Sequence, residues 1–214
     1  MNDSIETIYQ AILDGKIDET ADGVKAALAS GLKVQDILNK GLIAAMDVVG
    51  QRFGEGEFFI PQVLWSAKAM QAGMDLLKPH FTQDEQGARG KIVIGTAPGD
   101  IHDIGKNLVA MMLEGAGFEV VDLGVDVAPE RFVDTAVKAK GHIIALSALL
   151  TTTMPGMDDV VKLLRDRGLS HIKVLIGGAP VDEAFREEIG ADAYGIDAMD
   201  AVRKVRELLG RAIG

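Results

Sequence analysis

The second half of the chain is organised around residues 91–112, which read KIVIGTAPGDIHDIGKNLVAMM. Residues 91–96 are mostly apolar and β-branched, which is typical of a buried strand. A loop rich in glycine and proline follows, and apolar residues at helical spacing then predict a helix near 104–116. A strand that leads directly into a helix is the building unit of a parallel α/β sheet.

The same alternation continues to the end of the chain. Apolar runs predict further strands at 118–123, 142–147, 171–176 and 191–195, with helices near 130–140, 156–167, 182–189 and 198–210. Strands that are apolar on both faces are typical of parallel sheets covered by helices on both sides. We therefore expect an α/β domain with a five-stranded, parallel, doubly wound sheet of Rossmann-like or flavodoxin-like type.

The first half of the chain has a different period. Between Ser4 and about Pro79, apolar residues recur at helical spacing in four segments that glycines separate, and Pro61 suits the first turn of the last one. This pattern predicts a four-helix bundle. Residues 82–90, TQDEQGARG, are polar and aperiodic, as in a linker. The expected organisation is a helical cap at 1–81, a linker at 82–90 and a sheet domain at 91–214.

The composition narrows the chemistry. The 214 residues are 48% hydrophobic and 25% charged, as in a globular protein. The absence of cysteine removes disulfides, thiolate metal sites and cysteine nucleophiles, and only four histidines remain. The net charge of -10 disfavours binding to nucleic acid, and no apolar run approaches the ~20 residues of a membrane span. A cytoplasmic location without a membrane partner is the default expectation.

Ligands of doubly wound sheets bind outside the carboxyl ends of the strands, so the loop after the first strand is the first candidate site. There, Asp100 and Asp103 flank His102. His102 could present one ring nitrogen to a metal while Asp100 holds the other N–H group. The plainer alternative is an exposed loop histidine beside an aspartate that caps a helix. We expect the other histidines, His80, His142 and His171, to be structural.

The loops after later strands carry hydroxyl groups and glycines. Ser147 and the threonines at 151–153 place four hydroxyls within seven residues, Gly177 and Gly178 follow the fourth strand, and Tyr194 and Ala198 flank the fifth loop. Hydroxyls also cap helices and glycines also form turns, so each feature has a structural alternative. Taken together, these loops are expected to line one crevice.

The usual motifs for nucleotide and hydrolase sites are missing from the sequence. It contains no G-x-G-x-x-G, no G-x-x-x-x-G-K-[ST] and no G-x-S-x-G. The patterns for dinucleotides, for nucleoside triphosphates and for a serine nucleophile are therefore unsupported.

The spacing of the loop residues resembles the cobalamin-binding signature D-x-H-x-x-G, S-x-L, G-G of base-off/His-on corrinoid proteins. Here it reads Asp100-x-His102-x-x-Gly105, then after 41 residues Ser147-x-Leu149, then after 27 residues Gly177-Gly178. The stretches GDIHDIGKN and VVDLGVDV also resemble the cobalamin module of methionine synthase. In the first half, residues 53–62, FGEGEFFIPQ, are similar to the helical cap of that enzyme and of the corrinoid proteins of methyltransferase systems.

The resemblance implies how a cobalamin (a cobalt corrinoid, as in methylcobalamin) would be held. His102 would be the metal ligand and replace the cofactor's own base below the cobalt, with Asp100 stabilising the histidine. Methionine synthase completes this relay with a serine; Thr153 matches that position, and Thr151 or Thr152 could serve instead. Phe53 and Ile60 would cover the reactive face. The residues expected at the cofactor are Phe53, Ile60, Gly99, Asp100, His102, Asp103, Ile104, Gly105, Ser147, Leu149, Thr151, Thr153, Gly177, Gly178, Tyr194 and Ala198.

The same resemblance implies a methyl carrier that is not catalytic by itself. It would take a methyl group from a donor-specific corrinoid methyltransferase and pass it to an acceptor methyltransferase that serves tetrahydrofolate or a similar acceptor, with a reductive activator as a further partner. Methanol, methylamines, glycine betaine and aryl methyl ethers all have carriers of this type, so the donor stays open. Two alternatives are a cobalamin-sensing regulator, which would need a DNA-binding segment, and the small subunit of an adenosylcobalamin-dependent mutase, which would lack the cap.

Overall fold

The computed structural model describes residues 3–80 and 90–210, and these form two compact units. The first unit comprises residues 3–80 together with Glu114–Gly117, and the second comprises residues 90–113 and 118–210. The linker expected at 82–90 lies outside the described residues except for Gly90. Within the described ranges, no helix combines the length and the apolar character needed to cross a membrane.

The first unit is the predicted bundle of four helical segments. Its third segment runs from α3 through a seven-residue π-helix into α4, a feature that the apolar spacing does not predict. The elements are α1 (Asp3–Leu13), α2 (Ile17–Ala29), α3 (Val34–Asp36), the π-helix (Ile37–Ile43), α4 (Ala44–Gly54), α5 (Ile60–Leu77) and a 3₁₀ turn (Lys78–His80).

The turn between α1 and α2 depends on Gly15. Its φ of +67° lies in the left-handed region, and a Cβ atom there would lie 2.6 Å from Cβ of Trp65. Only glycine satisfies both constraints, so α1 and α2 can pack closely beside α5. At the start of α5, Pro61 occupies the first turn, and the N–H of Phe59 donates to Oε1 of Gln62 at 3.1 Å.

The second unit is the predicted five-stranded parallel sheet, with strand order β2-β1-β3-β4-β5. The chain adds β2 on one side of β1 and then β3, β4 and β5 on the other side, so the strand order reverses between β1 and β3. Doubly wound sheets bind ligands at such a point. The elements are β1 (Lys91–Thr96), α6 (Ile104–Gly115), β2 (Glu119–Asp122), α7 (Pro129–Ala139), β3 (Ile143–Ser147), α8 (Pro155–Asp166), β4 (Lys173–Gly177), α9 (Glu183–Ile189), β5 (Ala193–Gly195) and α10 (Ala198–Leu208).

The strand register brings four carboxyl ends into one row. Thr96 pairs with Ser147, Ser147 with Gly177, and Gly177 with Gly195. The loops that leave these strands therefore start side by side. At the opposite edge, Nδ1 of His142 accepts a hydrogen bond from the backbone N–H of Lys91 at 3.0 Å, which gives this histidine a structural contact.

The core of the sheet unit is centred on Phe132 of α7, which is fully buried. Its ring packs against β1 at Gly95, where a Cβ atom would lie 2.7 Å from the ring carbons. The absence of a side chain at Gly95 lets α7 lie close to the first strand, next to the loop that carries His102.

We expect Phe132→Ala to lower the free energy of unfolding by about 3–5 kcal/mol, because it leaves a cavity in a fully packed core. Val137→Ala on the same helix is the control, since Val137 is 51% exposed and should change stability by less than about 0.5 kcal/mol. Urea denaturation of both variants measures the difference. Equal effects would contradict this description of the core.

Candidate functional site

The site is built around the loop that leaves β1. Ala97 N–H donates to the carbonyl of Ser147 at 2.9 Å, and Asp100 N–H turns back onto the carbonyl of Ala97 at 3.1 Å. Gly99 has a φ of +77°, which the turn requires. The hydroxyl of Thr96 donates to the carbonyl of His102 at 3.0 Å. Both ends of the loop are thus fixed to the carboxyl ends of β1 and β3.

Asp100 is completely buried and collects donors from two loops. Its Oδ1 accepts from the backbone N–H of His102 at 3.0 Å and lies 2.8 Å from Nδ1 of the same ring. Its Oδ2 accepts from Leu149 N–H at 2.7 Å, from Leu150 N–H at 3.3 Å and from the hydroxyl of Thr153 at 2.7 Å. This one carboxylate therefore ties the loop after β1 to the loop after β3.

These donors determine the charge of Asp100. Burial by itself would raise the pKa of the carboxyl, but the hydrogen bonds from Leu149, Thr153 and His102 favour the ionised form and hold the pKa well below its ordinary value. An ionised carboxylate can only accept hydrogen bonds, so Nδ1 of His102 carries the proton in their contact. The lone pair of Nε2 is then free to bind a metal or accept a proton.

His102 is held on one side and open on the other. Its side chain is 48% exposed although Nδ1 and the backbone N–H both contact Asp100. The carboxylate fixes the ring's tautomer and orientation, which is the arrangement that metal-binding histidines commonly have. In the described part of the chain, no group of three or more His, Asp or Glu side chains could hold a metal ion by themselves.

The structure distinguishes the three threonines. Thr153 is buried and its hydroxyl contacts Asp100, whereas Thr151 and Thr152 are exposed. The Thr153 hydroxyl also lies 2.8 Å from the carbonyl of Leu150. The Thr153 methyl group packs over the turn at Gly99, where a Cβ atom would lie 3.7 Å from it. The hydroxyl of the same side chain points to the Asp100 carboxylate.

Large apolar side chains at the carboxyl edge of the sheet are exposed to solvent. Two of them, Ile104 and Leu149, are among the predicted contacts, and sequence reasoning missed the others. In the sequence, the missed residues are isoleucines or leucines within polar loops, at positions that fit neither a helical nor a strand period. The exposed apolar residues of the loops after β1, β3 and β5 and of the first turn of α6 are Ile101, Ile104, Leu149, Leu150 and Ile196.

Paired glycines lie at the carboxyl end of β4. Gly178 has a φ of +130°, and a Cβ atom there would lie 1.9 Å from the carbonyl oxygen of Ala148. At Gly177, a Cβ atom would lie 3.1 Å from the carbonyl oxygen of Gly195. The loops after β3, β4 and β5 can approach one another this closely because these positions lack side chains.

The remaining predicted residues lie in three places. Asp103 and Gly105 are exposed at the start of α6, where the Asp103 carbonyl accepts from Asn107 N–H at 2.7 Å. Tyr194 is half-buried in β5, and Ala198 is buried in the first turn of α10. Phe53, at the end of α4, and Ile60, at the start of α5, lie in the helical unit.

Comparison with known proteins covers both units. Residues 90–203 and residues 4–78 each match a family model described as a B12 binding domain. Dimethylamine corrinoid protein 1 of Methanosarcina acetivorans is 44% identical over 211 residues, which is 96% of this chain and 99% of that protein. Trimethylamine corrinoid protein 1 of the same organism is 44% identical over 202 residues, 93% of this chain and 94% of that protein.

A solved structure is similar along the whole chain. The crystal structure of the methanol:cobalamin methyltransferase complex MtaBC from Methanosarcina barkeri contains a chain that matches with a TM-score of 0.88 at 33% identity. The match covers 99% of this chain and 81% of that chain.

The low pKa of Asp100 predicts how its contribution to stability depends on pH. At pH 7, Asp100→Asn should lower the free energy of unfolding by about 2–3 kcal/mol, because the asparagine NH₂ group would face backbone or hydroxyl donors. The contribution of a carboxylate with a depressed pKa is complete above its unfolded-state pKa of about 4 and is lost as the pH falls through the folded-state pKa. The difference between the wild type and the variant should therefore shrink below about pH 4.

Urea denaturation between about pH 7 and pH 3 measures this difference. Asp166→Asn, which changes an exposed carboxylate at the end of α8, is the control and should have little effect on stability at any pH. A difference between the wild type and Asp100→Asn that stays constant over this range would contradict a buried, ionised Asp100.

Proposed function

The chain belongs to the B12-binding corrinoid proteins, and we therefore propose that it binds a cobalamin whose cobalt is coordinated by His102. On this cofactor it would carry methyl groups between methyltransferases. The observation that carries the proposal is the buried Asp100 carboxylate, which holds Nδ1 of a half-exposed His102 and leaves Nε2 free. Relatives that match from end to end are named as corrinoid proteins for dimethylamine and trimethylamine, which favours a carrier over a sensor or a mutase subunit.

The residues at the carboxyl edge of the sheet fit such a cofactor. The exposed side chains of Ile101, Ile104 and Ile196 offer apolar contacts to a broad macrocycle, and His102 offers one nitrogen ligand. The glycines at 177 and 178 let the loops after β3, β4 and β5 lie close together at this edge, beside which the nucleotide tail would bind. When bound, cobalamin supplies a cobalt centre that can accept a methyl group from one enzyme and release it to another.

Asp100 and Thr153 would tune His102 for this task. The Asp100 carboxylate accepts a hydrogen bond from the N–H group at Nδ1 and makes the opposite nitrogen a better ligand, while the Thr153 hydroxyl donates to the same carboxylate. Because Asp100 stays ionised, it remains an acceptor for the N–H group at Nδ1, and Nε2 remains the nitrogen available to the cobalt.

The partners would determine which methyl group is carried. The two relatives are corrinoid proteins of dimethylamine and of trimethylamine, and the similar crystal structure is that of a methyltransferase complex for methanol. We infer a donor-specific methyltransferase of this general type as the first partner. An acceptor methyltransferase that uses tetrahydrofolate or a similar acceptor, and a reductive activator, complete the proposed system.

We expect His102→Ala to abolish the base-off/His-on absorbance spectrum after reconstitution with cobalamin and to weaken cobalamin binding roughly tenfold or more, because it removes the ligand. His171→Ala is the matched control, since His171 is exposed in the turn before β4, at the amino end of the strands. It should leave the spectrum and the affinity unchanged. A His102→Ala protein with the wild-type spectrum would contradict the proposal.

Thr153→Val and Thr153→Ser separate the hydroxyl from the methyl group. Valine keeps the shape but removes a donor to a buried carboxylate, so it should destabilise the apoprotein by about 1–3 kcal/mol and reduce the His-on fraction. Serine keeps the donor and should preserve the His-on fraction. Denaturation of the apoprotein and the absorbance spectrum of the cobalamin complex measure the two effects. If both variants behave alike, the hydroxyl has no role in the relay.

A further inference from the structure

The structure holds a second buried charge near His102 that the proposed function does not use. In the described part of the chain, Asp100 and Lys106 are the charged residues that are fully buried. Lys106 lies in the first turn of α6, its side chain is 2% exposed, and its ammonium group pairs with Asp122 at the end of β2. It also donates to Oδ1 of Asn107 at 2.6 Å.

This placement of Lys106 is unfavourable for stability alone. The N-terminus of a helix carries partial positive charge, so a cation in the first turn is repelled. Removing an ammonium group from water is also unfavourable, and an apolar side chain of similar size often stabilises such a position better than an ion pair does. The pair with Asp122 therefore calls for an explanation beyond packing.

The partner Asp122 begins a segment that is bonded to the histidine loop. Oδ1 of Asp122 accepts from Gly124 N–H at 2.8 Å, and the carbonyl of Gly124 accepts from Thr96 N–H at 3.0 Å. Thr96 is the last residue of β1, and its hydroxyl contacts the carbonyl of His102. The segment that begins at Asp122 thus follows the carboxyl end of β1.

The same segment contacts the start of the histidine loop. Oδ1 of Asp126 accepts from Gly99 N–H at 2.7 Å, and the N–H of Asp126 donates to the carbonyl of Asp100 at 2.9 Å. Asp126 has a φ of +50°, a left-handed conformation that is uncommon for residues other than glycine. Such conformations persist where the surrounding contacts impose them.

We propose that Lys106, through its ion pair with Asp122, is a positioning residue that holds His102 in place for metal binding. The inference rests on the proposed function, because it takes His102 as the ligand. Asp126 fixes the start of the loop at Gly99 and Asp100, and the Lys106–Asp122 pair fixes its end at the first turn of α6. Both anchors belong to one segment, residues 122–126, so His102 lies between two fixed points. A metal-binding side chain that is already held in place loses less conformational entropy when the metal binds.

The test compares Lys106→Met with Lys91→Met. Methionine keeps an unbranched chain and removes the charge. Lys91 in β1 pairs with Glu119 in β2 at 2.8 Å. Like Lys106 it forms an ion pair with β2, but at the amino end of that strand. Asp122→Asn is a second variant. It removes the charge of the more exposed partner and leaves the buried Lys106 side chain in place.

Two measurements are needed. In the apoprotein, amide hydrogen exchange at His102 and Asp126 should be roughly tenfold faster in Lys106→Met and in Asp122→Asn, and unchanged in Lys91→Met. In the cobalamin complex at constant pH, the ratio of the His-on to the His-off spectrum should fall roughly tenfold in the same two variants only.

The outcomes separate this inference from the proposed function. If exchange and the spectral ratio stay at the wild-type values in both pair variants, or if Lys91→Met has the same effects, Lys106 does not position His102. If exchange accelerates while the His-on ratio is unchanged, the pair is merely structural and the inference fails. If the wild type itself shows no His-on spectrum and equals His102→Ala, the proposed function has failed, and the inference fails with it.

Discussion

A buried, ionised carboxylate cannot stay in a protein interior without several donors, and Asp100 has donors from two separate loops. Those loops leave β1 and β3, which are adjacent in the sheet although a helix, a strand and a second helix separate them in the chain. The pairing of Thr96 with Ser147 places both loop starts side by side. The orientation of His102 therefore depends on the order of the strands, because only this order brings Leu149 and Thr153 to Asp100.

The periodicity of the sequence predicts most of this architecture. Apolar strands and amphipathic helices follow from residue spacing, and the carboxyl edge of a doubly wound sheet is where the functional residues are expected. The proximity of Asp100 and His102 also follows, since two residues in a tight turn can meet. The identity of the cofactor comes from the resemblance to corrinoid proteins and from the comparisons rather than from periodicity.

Other features depend on tertiary structure and cannot be predicted from local sequence. Three consecutive threonines are equivalent in the sequence, and only the geometry of the turn before α8 buries Thr153 and exposes the other two. Lys106 has the sequence context of an ordinary solvated helix residue, yet it reaches Asp122 sixteen positions away across a helix and a strand. Ile101 and Ile196 are exposed and lie in loops. A loop has no regular hydrophobic period, so the sequence does not predict whether such a side chain is buried or exposed.

In the proposed complex His102, and not the cofactor's own base, would be the nitrogen ligand of the cobalt. The most direct measurement is the electron paramagnetic resonance spectrum of the cobalt(II) form of the complex, with natural-abundance cobalamin and protein labelled with ¹⁵N in its histidines. A coordinating histidine predicts superhyperfine doublets from ¹⁵N, which return to triplets when unlabelled protein is used. Triplets with labelled protein would show that the cofactor's own base remains bound and would contradict the role given to His102.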